Sequence, residues 1–332
     1  MRVVVTGAAG FVGSHVSEAL TAAGHEVVGV DAFIDYYPRS LKEDNLAQLQ
    51  LDPLFRLCDL DLRTASLEPV LDGADVVIHE AAMAGLPRSW TEFESYLTCN
   101  VLGTERLLEA ARAVGVPRYL HISTSSVYGL EAVGDETRPT RPISPYGVTK
   151  LAAEHLVLAF VDTYGFDASI LRYFSIFGPR QRPDMAYSIF IDALLDGRPL
   201  TIFGDGEQSR TNTFVSDAVA GTIAAIEGAA TGEIYNIGGG EPITVNEAIQ
   251  TLAEFLDVTP DLRHEAARAG DQRHTAADTT KARLAFGYAP TVGPRDGLIR
   301  QARWQSGRRR RAVAVGERSR SNGSGNGRAA GA

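Results

Sequence analysis

Tyr146 and Lys150 stand four residues apart in the stretch Ser144-Pro145-Tyr146-Gly147-Val148-Thr149-Lys150. Ser144 is a good helix N-cap and Pro145 suits the first helical position. The stretch therefore predicts a helix start that sets the phenol and the ammonium on one face. A free phenol, with a pKa near ~10, is a poor base at neutral pH. A nearby cation favours the phenolate and lowers that value. A phenolate so placed removes the proton from a substrate hydroxyl. Upstream, His121-Ile122-Ser123-Thr124-Ser125-Ser126-Val127-Tyr128-Gly129 ends a candidate strand in hydroxyls. In a parallel sheet, side chains at a carboxyl strand end point into the ligand crevice. Thr124 is thus placed to bond the reacting oxygen and share its proton with Tyr146. Taken alone, a tyrosine–lysine pair also arises by chance on helix surfaces, and a Ser/Thr run also makes a plain turn. Their place in the chain decides.

A hydroxyl oxidation needs somewhere to send the hydride. Directly after the first candidate strand stands Thr6-Gly7-Ala8-Ala9-Gly10-Phe11-Val12-Gly13, a G-x-x-G-x-x-G spacing at a strand-to-helix turn. Gly7 allows the tight turn, Gly10 lets backbone approach a pyrophosphate, and Gly13 lets the helix pack close to the strand. The helix N-terminus offers N–H groups and a positive dipole end to phosphates. The second strand ends at Asp31, where a carboxylate accepts both ribose hydroxyls of NAD and repels the 2′-phosphate of NADP. The plainer alternative is a structural turn beside an acidic strand end. Two more strand ends face the same crevice: Cys58-Asp59-Leu60, placed to meet an adenine, and His79-Glu80-Ala81-Ala82, whose small residues let a cofactor lie close. His79 reads as a packed histidine. With NAD present, the positive nicotinamide ring also favours the Tyr146 phenolate, and Lys150 can hold the nicotinamide ribose.

Positioning these groups requires an alternating α/β chain. Candidate strands are Val3–Thr6, Val27–Asp31, Phe55–Cys58, Val76–His79, Tyr119–Ser123 and Ala168–Arg172, with amphipathic stretches such as Ser14–Ala23, Val101–Val114 and Lys150–Tyr164 between them. This alternation predicts parallel βαβ units with helices on both faces, a Rossmann-type doubly wound sheet. After about Gly178 the elements shorten and Gly, Pro and Arg become denser, which predicts a smaller α/β lobe. Thr213 to Glu227 again reads as strand then helix returning to the main sheet. The expected division is 1–174 plus about 211–236 for the dinucleotide domain, and about 175–210 and 237–305 for the second lobe. From Ser306, the run Arg308-Arg309-Arg310-Arg311 followed by Ser- and Gly-rich sequence predicts a disordered tail over 306–332.

Composition removes other classes. The chain has 332 residues and a net charge of −9, against the basic stripe of a nucleic-acid binder. Two cysteines, Cys58 and Cys99, are too few for a disulfide scaffold and read as reduced thiols. No apolar run reaches membrane-span length, and the N-terminus runs straight into the glycine turn without a signal peptide. A cytoplasmic protein with no membrane partner follows as an expectation. The seven histidines show no metal-ligand spacing, so no metal is expected.

TGAAGFVG, the STSSVYG strand end and YGVTK together resemble the extended short-chain dehydrogenase/reductase family, in particular its nucleotide-sugar epimerases and dehydratases, from residue 1 to about residue 300. The resemblance implies a Rossmann NAD domain, a sugar-nucleotide lobe, tightly held NAD and, commonly, a homodimer. It implies Thr124, Tyr146 and Lys150 as the catalytic set. The residues it assigns to the cofactor are Gly7, Ala9, Gly10, Phe11, Val12, Gly13, Asp31, Lys42, Asp59, Leu60, Ala81, Ala82, Asn100, Tyr146, Lys150 and Tyr173.

Family reactions share oxidation at C4 of the sugar and then diverge. A 4,6-dehydratase of the family carries T-D-E after the fifth strand and a uronate decarboxylase T-S-E; this chain has Thr124-Ser125-Ser126, with no carboxylate. An epimerase needs only the tyrosine, the lysine and a hydroxyl. Asp35-Tyr36-Tyr37 with Ser40-Leu41-Lys42, Ala81-Ala82-Met83-Ala84-Gly85, and Gly178-Pro179-Arg180-Gln181-Arg182-Pro183-Asp184-Met185-Ala186 are similar to UDP-glucuronate 4-epimerases. On that likeness Arg182, Ser125, Ser126 and Ser175 meet the sugar carboxylate, and Phe203, Arg210, Arg268 and Asp271 the nucleotide. The chain departs from the pattern at Thr211-Asn212, at Pro87-Arg88, where the usual arginine is one place late, and at Ser175. A UDP-glucose/galactose 4-epimerase, a UDP-glucuronate decarboxylase and a non-catalytic NAD-binding sensor stay open as alternatives.

Overall fold

A computed structural model of the chain describes residues 1–266 and 274–323, with side chains as far as Arg310 in the last helix. The first half runs β1 (Arg2–Thr6), α1 (Phe11–Ala22), β2 (Glu26–Asp31), α2 (Arg39–Leu46), β3 (Phe55–Asp59), α3 (Glu68–Leu71), β4 (Val76–His79), α4 (Phe93–Leu97), α5 (Gly103–Val114), β5 (Arg118–Thr124), β6 (Ala132–Gly134), α6 (Pro145–Tyr164) and β7 (Ala168–Tyr173). The second continues β8 (Ile176–Phe177), α7 (Ala186–Asp196), β9 (Leu200–Phe203), β10 (Ser209–Arg210), β11 (Thr213–Phe214), α8 (Val215–Gly228), β12 (Ile234–Ile237), β13 (Ile243–Thr244), α9 (Val245–Leu256), β14 (Leu262–Glu265), β15 (His274–Ala277), α10 (Thr280–Phe286) and α11 (Pro294–Gly323).

Seven strands form one sheet in the order β12-β7-β5-β4-β1-β2-β3. Every pair in it is parallel. Alternate residues feed the two faces: Val3, Val5, Ile78 and Ile122 join the core containing α1 and α8 residues, while Val4, Val28, Val77 and Tyr119 join the core containing α5 and α6 residues. Burial on both faces explains why β1 is an unbroken valine run rather than an alternating strand. β1 lies between β2 and β4, so the strand order reverses there and opens a crevice at the carboxyl ends of the strands.

The smaller elements gather over that edge as β13-β10-β15-β6 and β14-β9. β11 pairs with β8 rather than entering the main sheet; β12 is the strand that returns, beside β7. The expected disordered tail is also corrected. α11 continues through Ser306 to Gly323. Its first half is anchored: Leu298 and Ala302 are fully buried, Gln305 Nε2 donates to the Ser188 carbonyl at 3.0 Å, and Arg309 pairs with Asp196. Arginine is a good helix former, so the run extends the helix once packing has started it. Residues 324–332 lie outside the described residues.

Candidate active site

The glycine turn is shaped by what surrounds it. Gly7 has φ +71°, and a Cβ there would stand 2.9 Å from the backbone N of Ala81. A Cβ on Gly13 would collide with the Gly7 carbonyl, so the helix sits as close to the turn as glycine permits. α1 begins at Phe11 with no side chain capping its N-terminus, which leaves its first amides, those of Phe11, Val12 and Gly13, to a ligand. Asp31 is buried at the end of β2. Its Oδ2 accepts from Ala9 N at 3.2 Å, its Oδ1 from Phe33 N at 2.8 Å, and Lys42 Nζ lies 3.6 Å away. Asp59 pairs with Arg39 at 3.0 Å, and the Arg39 guanidinium lies 4.1 Å from the Phe33 ring centre. Leu60 N donates to the Asp31 carbonyl at 3.2 Å. An uncapped helix start, a carboxylate at the second strand end and the small Ala81-Ala82 pair fit an adenine dinucleotide.

The end of β4 is fixed from within. His79 bonds Thr6 Oγ1 at 2.7 Å through Nδ1 and Thr104 Oγ1 at 2.9 Å through Nε2, and burial holds its pKa down at about 3. It is a neutral packing residue. The next side chain, Glu80, accepts from Tyr173 at 2.9 Å, and burial pushes its carboxyl up to about 7. Tyr173 also bonds Thr222 at 2.5 Å. Asn100 is fully buried in a π-helical turn, Thr98–Leu102. Its amide exchanges bonds with the Met83 backbone at 2.7 and 2.9 Å and donates to Thr149 at 3.0 Å. Asn100, expected at the cofactor, ties the β4 loop to α6 in this geometry.

α6 starts as its sequence predicts, with Ser144 Oγ accepting from Gly147 N at 3.1 Å and Pro145 in the first turn. Burial raises the Tyr146 phenol, while a hydrogen bond with Thr124 and then the charge of Arg182 pull it down. Lys150, 2% exposed, donates Nζ to the Ile122 carbonyl at 2.6 Å and lies 3.4 Å from His121 Nε2. Burial brings its pKa down to about 8, against the pull of Glu154 and Glu80. The sequence points to the lysine as a group that acidifies Tyr146; in this structure its ammonium also bonds the β5 backbone, and Thr124 and Arg182 add to the pull on the phenol.

The hydroxyl loop and a cation complete the cleft. Thr124 Oγ1 accepts from Ser126 N and lies 3.2 Å from Ser126 Oγ, and Ser125 is buried. Ser175 takes a left-handed φ of +38°, and its carbonyl accepts from Thr213 N at 3.2 Å. Arg182 reaches Tyr146 by charge but already holds Asp184 with two hydrogen bonds of 2.9 Å. Phe203 ends β9 and Arg210 lies on β10, in the smaller lobe. Arg268 and Asp271 lie outside the described residues. Among the described residues there is no group of three or more His, Cys, Asp or Glu side chains set to hold a metal ion, and no helix long and apolar enough to cross a membrane.

A family model described as the NAD dependent epimerase/dehydratase family matches residues 3–238. The chain belongs to this family. The Bacillus subtilis protein YtcB, named an uncharacterized UDP-glucose epimerase, is 40% identical across 92% of this chain and 98% of its own length. The UDP-glucuronate 4-epimerase of Thermodesulfobacterium geofontis is 34% identical across 91% of this chain and 95% of its own. The crystal structure of UDP-glucuronic acid 4-epimerase from Bacillus cereus, in complex with UDP-glucuronic acid and NAD, matches with a TM-score of 0.89 at 40% identity, covering 92% of this chain and 99% of that one. The cofactor of this NAD-dependent epimerase/dehydratase is thus the dinucleotide that its glycine turn and Asp31 fit.

The structure brings Thr124 from β5 to Tyr146 on α6, with Lys150 on the same helix and Arg182 acting from the loop before α7. Sequence reasoning missed three contributors. Tyr36 and Asp184 lie in stretches it singled out, but their contact with each other joins loops 148 residues apart. Tyr96, whose ring meets Tyr146 edge-on at 6.2 Å, carried no signal beyond its aromatic character.

Proposed function

We propose that this chain is an NAD-dependent UDP-sugar 4-epimerase acting on UDP-glucuronate and forming UDP-galacturonate. The observation that carries the reading is the strand end Thr124-Ser125-Ser126 beside Tyr146, with hydroxyls and no carboxylate. Tyr146 removes the C4 hydroxyl proton and later returns one to C4 oxygen, with Thr124 bonded to the phenol throughout. Lys150, buried as a cation, sets the local field. Bound NAD supplies the acceptor and donor of the C4 hydride. With no carboxylate to move protons at C5 or C6, the 4-keto sugar is only reduced again, from its other face. The names of the relatives above support this reading.

A 4-keto uronate is a β-keto acid and loses CO₂ when the scissile bond aligns with the carbonyl π system. Ser125, Ser126, Ser175 and Arg182 hold the carboxylate charged and out of that alignment. Phe203, Arg210, Arg268 and Asp271 take the nucleotide. A second reading, epimerisation of UDP-glucose and UDP-galactose, is favoured by one observation: Asp184 already neutralises Arg182. Product analysis with UDP-glucuronate and UDP-glucose in parallel separates the two. Turnover of UDP-glucose alone overturns the uronate assignment, and pentose from the wild type makes the enzyme a decarboxylase. A Ser175→Ala or Arg182→Ala variant that forms no extra pentose removes the restraint.

The proposed assembly is a homodimer. Phe93, Leu97 and Leu102 along α4 and the π turn, with Val148 on α6, are 43–49% exposed large apolar side chains. Helices α4 and α6 pack together, so these side chains belong to one neighbourhood. Light scattering of the purified chain tests the assignment, and Leu97→Glu should yield monomer.

A further inference from the structure

Tyr36 sits where three loops meet. Its hydroxyl donates to Asp184 Oδ2 at 3.2 Å, the oxygen that also accepts from Arg182 at 2.9 Å. Two guanidiniums lie over its ring, Arg88 at 4.5 Å and Arg182 at 5.0 Å from the centre. Arg88 also donates to the Tyr36 carbonyl at 3.0 Å and pairs with Glu92 at 2.6 Å. The arginine that stands one place late in this sequence is therefore the one that covers Tyr36. The receiving loop is cut to fit. Gly85 has φ +108°, and a Cβ there would collide with the Tyr36 hydroxyl. Tyr96 holds that loop by donating to the carbonyls of Ala84 and Gly85, at 3.0 and 2.9 Å.

We infer that Tyr36 is a specificity-determining positioning residue, which fixes the plane of Arg182 so that the enzyme favours an acidic over a neutral sugar; this rests on the uronate reading above. A guanidinium has five N–H donors in a rigid fork. Asp184 takes two of Arg182's, and the rest remain for a ligand. A fork selects a carboxylate only when its plane is held. An arginine–aspartate pair two residues apart on a loop has no such hold by itself, because both side chains swing on the same short segment. Tyr36 provides the hold twice, by its hydroxyl on the shared carboxylate oxygen and by its ring against the guanidinium. The loop bearing Tyr36 also carries Phe33, whose N–H bonds Asp31, so the clamp starts at the cofactor's ribose seat.

The test uses NAD-loaded enzyme, calorimetric affinities for UDP-glucuronate and UDP-glucose, and turnover of each. Tyr36→Phe removes the hydroxyl and keeps the ring; Tyr36→Leu removes both. The affinity ratio, uronate over hexose, should fall about fivefold or more in Tyr36→Phe, as expected for one bond to a charged group, and further in Tyr36→Leu. Circular dichroism identifies a variant that fails to fold, and the conservative phenylalanine variant then carries the test. Equal weakening of both ligands, or an unchanged ratio, overturns the inference. A wild type that epimerises UDP-glucose and ignores UDP-glucuronate overturns the substrate reading instead, a result visible before any variant is made.

Discussion

Glu154 takes two hydrogen bonds from Arg172, at 3.0 and 2.6 Å, in a pocket that leaves the side chains 2% and 4% exposed. Arg172 also donates to Tyr128 at 2.9 Å, and Tyr128 to Asn236 at 2.8 Å. The pair joins α6 to β7 beneath the hydroxyl loop. Removing one partner strands a buried charge, so Arg172→Met should cost about 3–5 kcal/mol. The double variant Glu154→Leu with Arg172→Met should cost less than the sum of the singles. Urea unfolding measures both; a single-variant loss under about 1 kcal/mol would contradict the pairing.

Tyr146→Phe leaves the fold and the cofactor seat intact but removes the proton carrier. Turnover should drop by about 10²–10⁴-fold, with NAD content unchanged by absorbance after gel filtration. Thr124→Val, which loses the hydroxyl bonded to the phenol, should fall by a smaller factor. If Tyr146→Phe kept more than about a tenth of the rate, another base would have to be sought.

The lysine predicts an alkaline limit. Burial lowers its folded pKa from 10.5 to about 8. The ammonium is therefore present below about pH 8 and lost above it, and kcat/KM should decline through that region. Lys150→Arg keeps the charge to far higher pH. A profile of the wild type that is flat to pH 10 would disconnect the ammonium from catalysis.

Glu80 predicts a slope in stability. Its carboxyl rises from 4.5 to about 7 on folding. Between those values the folded chain keeps a proton that the unfolded chain has released, so stability falls as pH increases across the window. Glu80→Gln removes that slope. Relative to the wild type, it should gain about 1–3 kcal/mol on going from pH 4.5 to pH 8. Parallel denaturation curves at both pH values are the measurement, and an identical wild-type-to-variant difference at both would count against the buried acid.

Gly13→Ala places a methyl against the Gly7 carbonyl. Because backbone lies on both sides, the strain has no flexible side chain to absorb it. A loss of about 2 kcal/mol or more is expected, together with weaker NAD binding. Normal stability and affinity in that variant would mean that α1 can move away from the turn.

The sheet was readable because each strand leaves a local mark. The Val3–Val5 run, the Val76–Ile78 run and the glycine triplet occupy short windows, and six of the seven main-sheet strands fall within about a residue of where periodicity puts them. The Ser144 cap and Pro145 placed the start of α6 for the same reason. What escaped was set by distance. β12 is an ordinary four-residue run that becomes a main-sheet strand only because β7 offers it an edge. The Tyr36–Asp184 contact needs two loops from opposite sides of the cleft. Arg182 as an electrostatic partner of Tyr146 could not be deduced from helix spacing, because it comes from the loop before α7. The arginine-rich tail misled because composition weighs solubility, while Leu298 and Ala302 start a helix that the arginines merely extend.

The π turn at Thr98–Leu102 holds one residue more than an ordinary turn would, and that surplus brings Asn100 round to Met83 and Thr149. Chain length here is consequently constrained as tightly as the asparagine itself. A deletion of any one residue would rotate everything beyond it by about 100°, and the asparagine would leave its seat although still present in the sequence. For engineering or for reading variants, the number of residues in this stretch matters as much as the identity of Asn100.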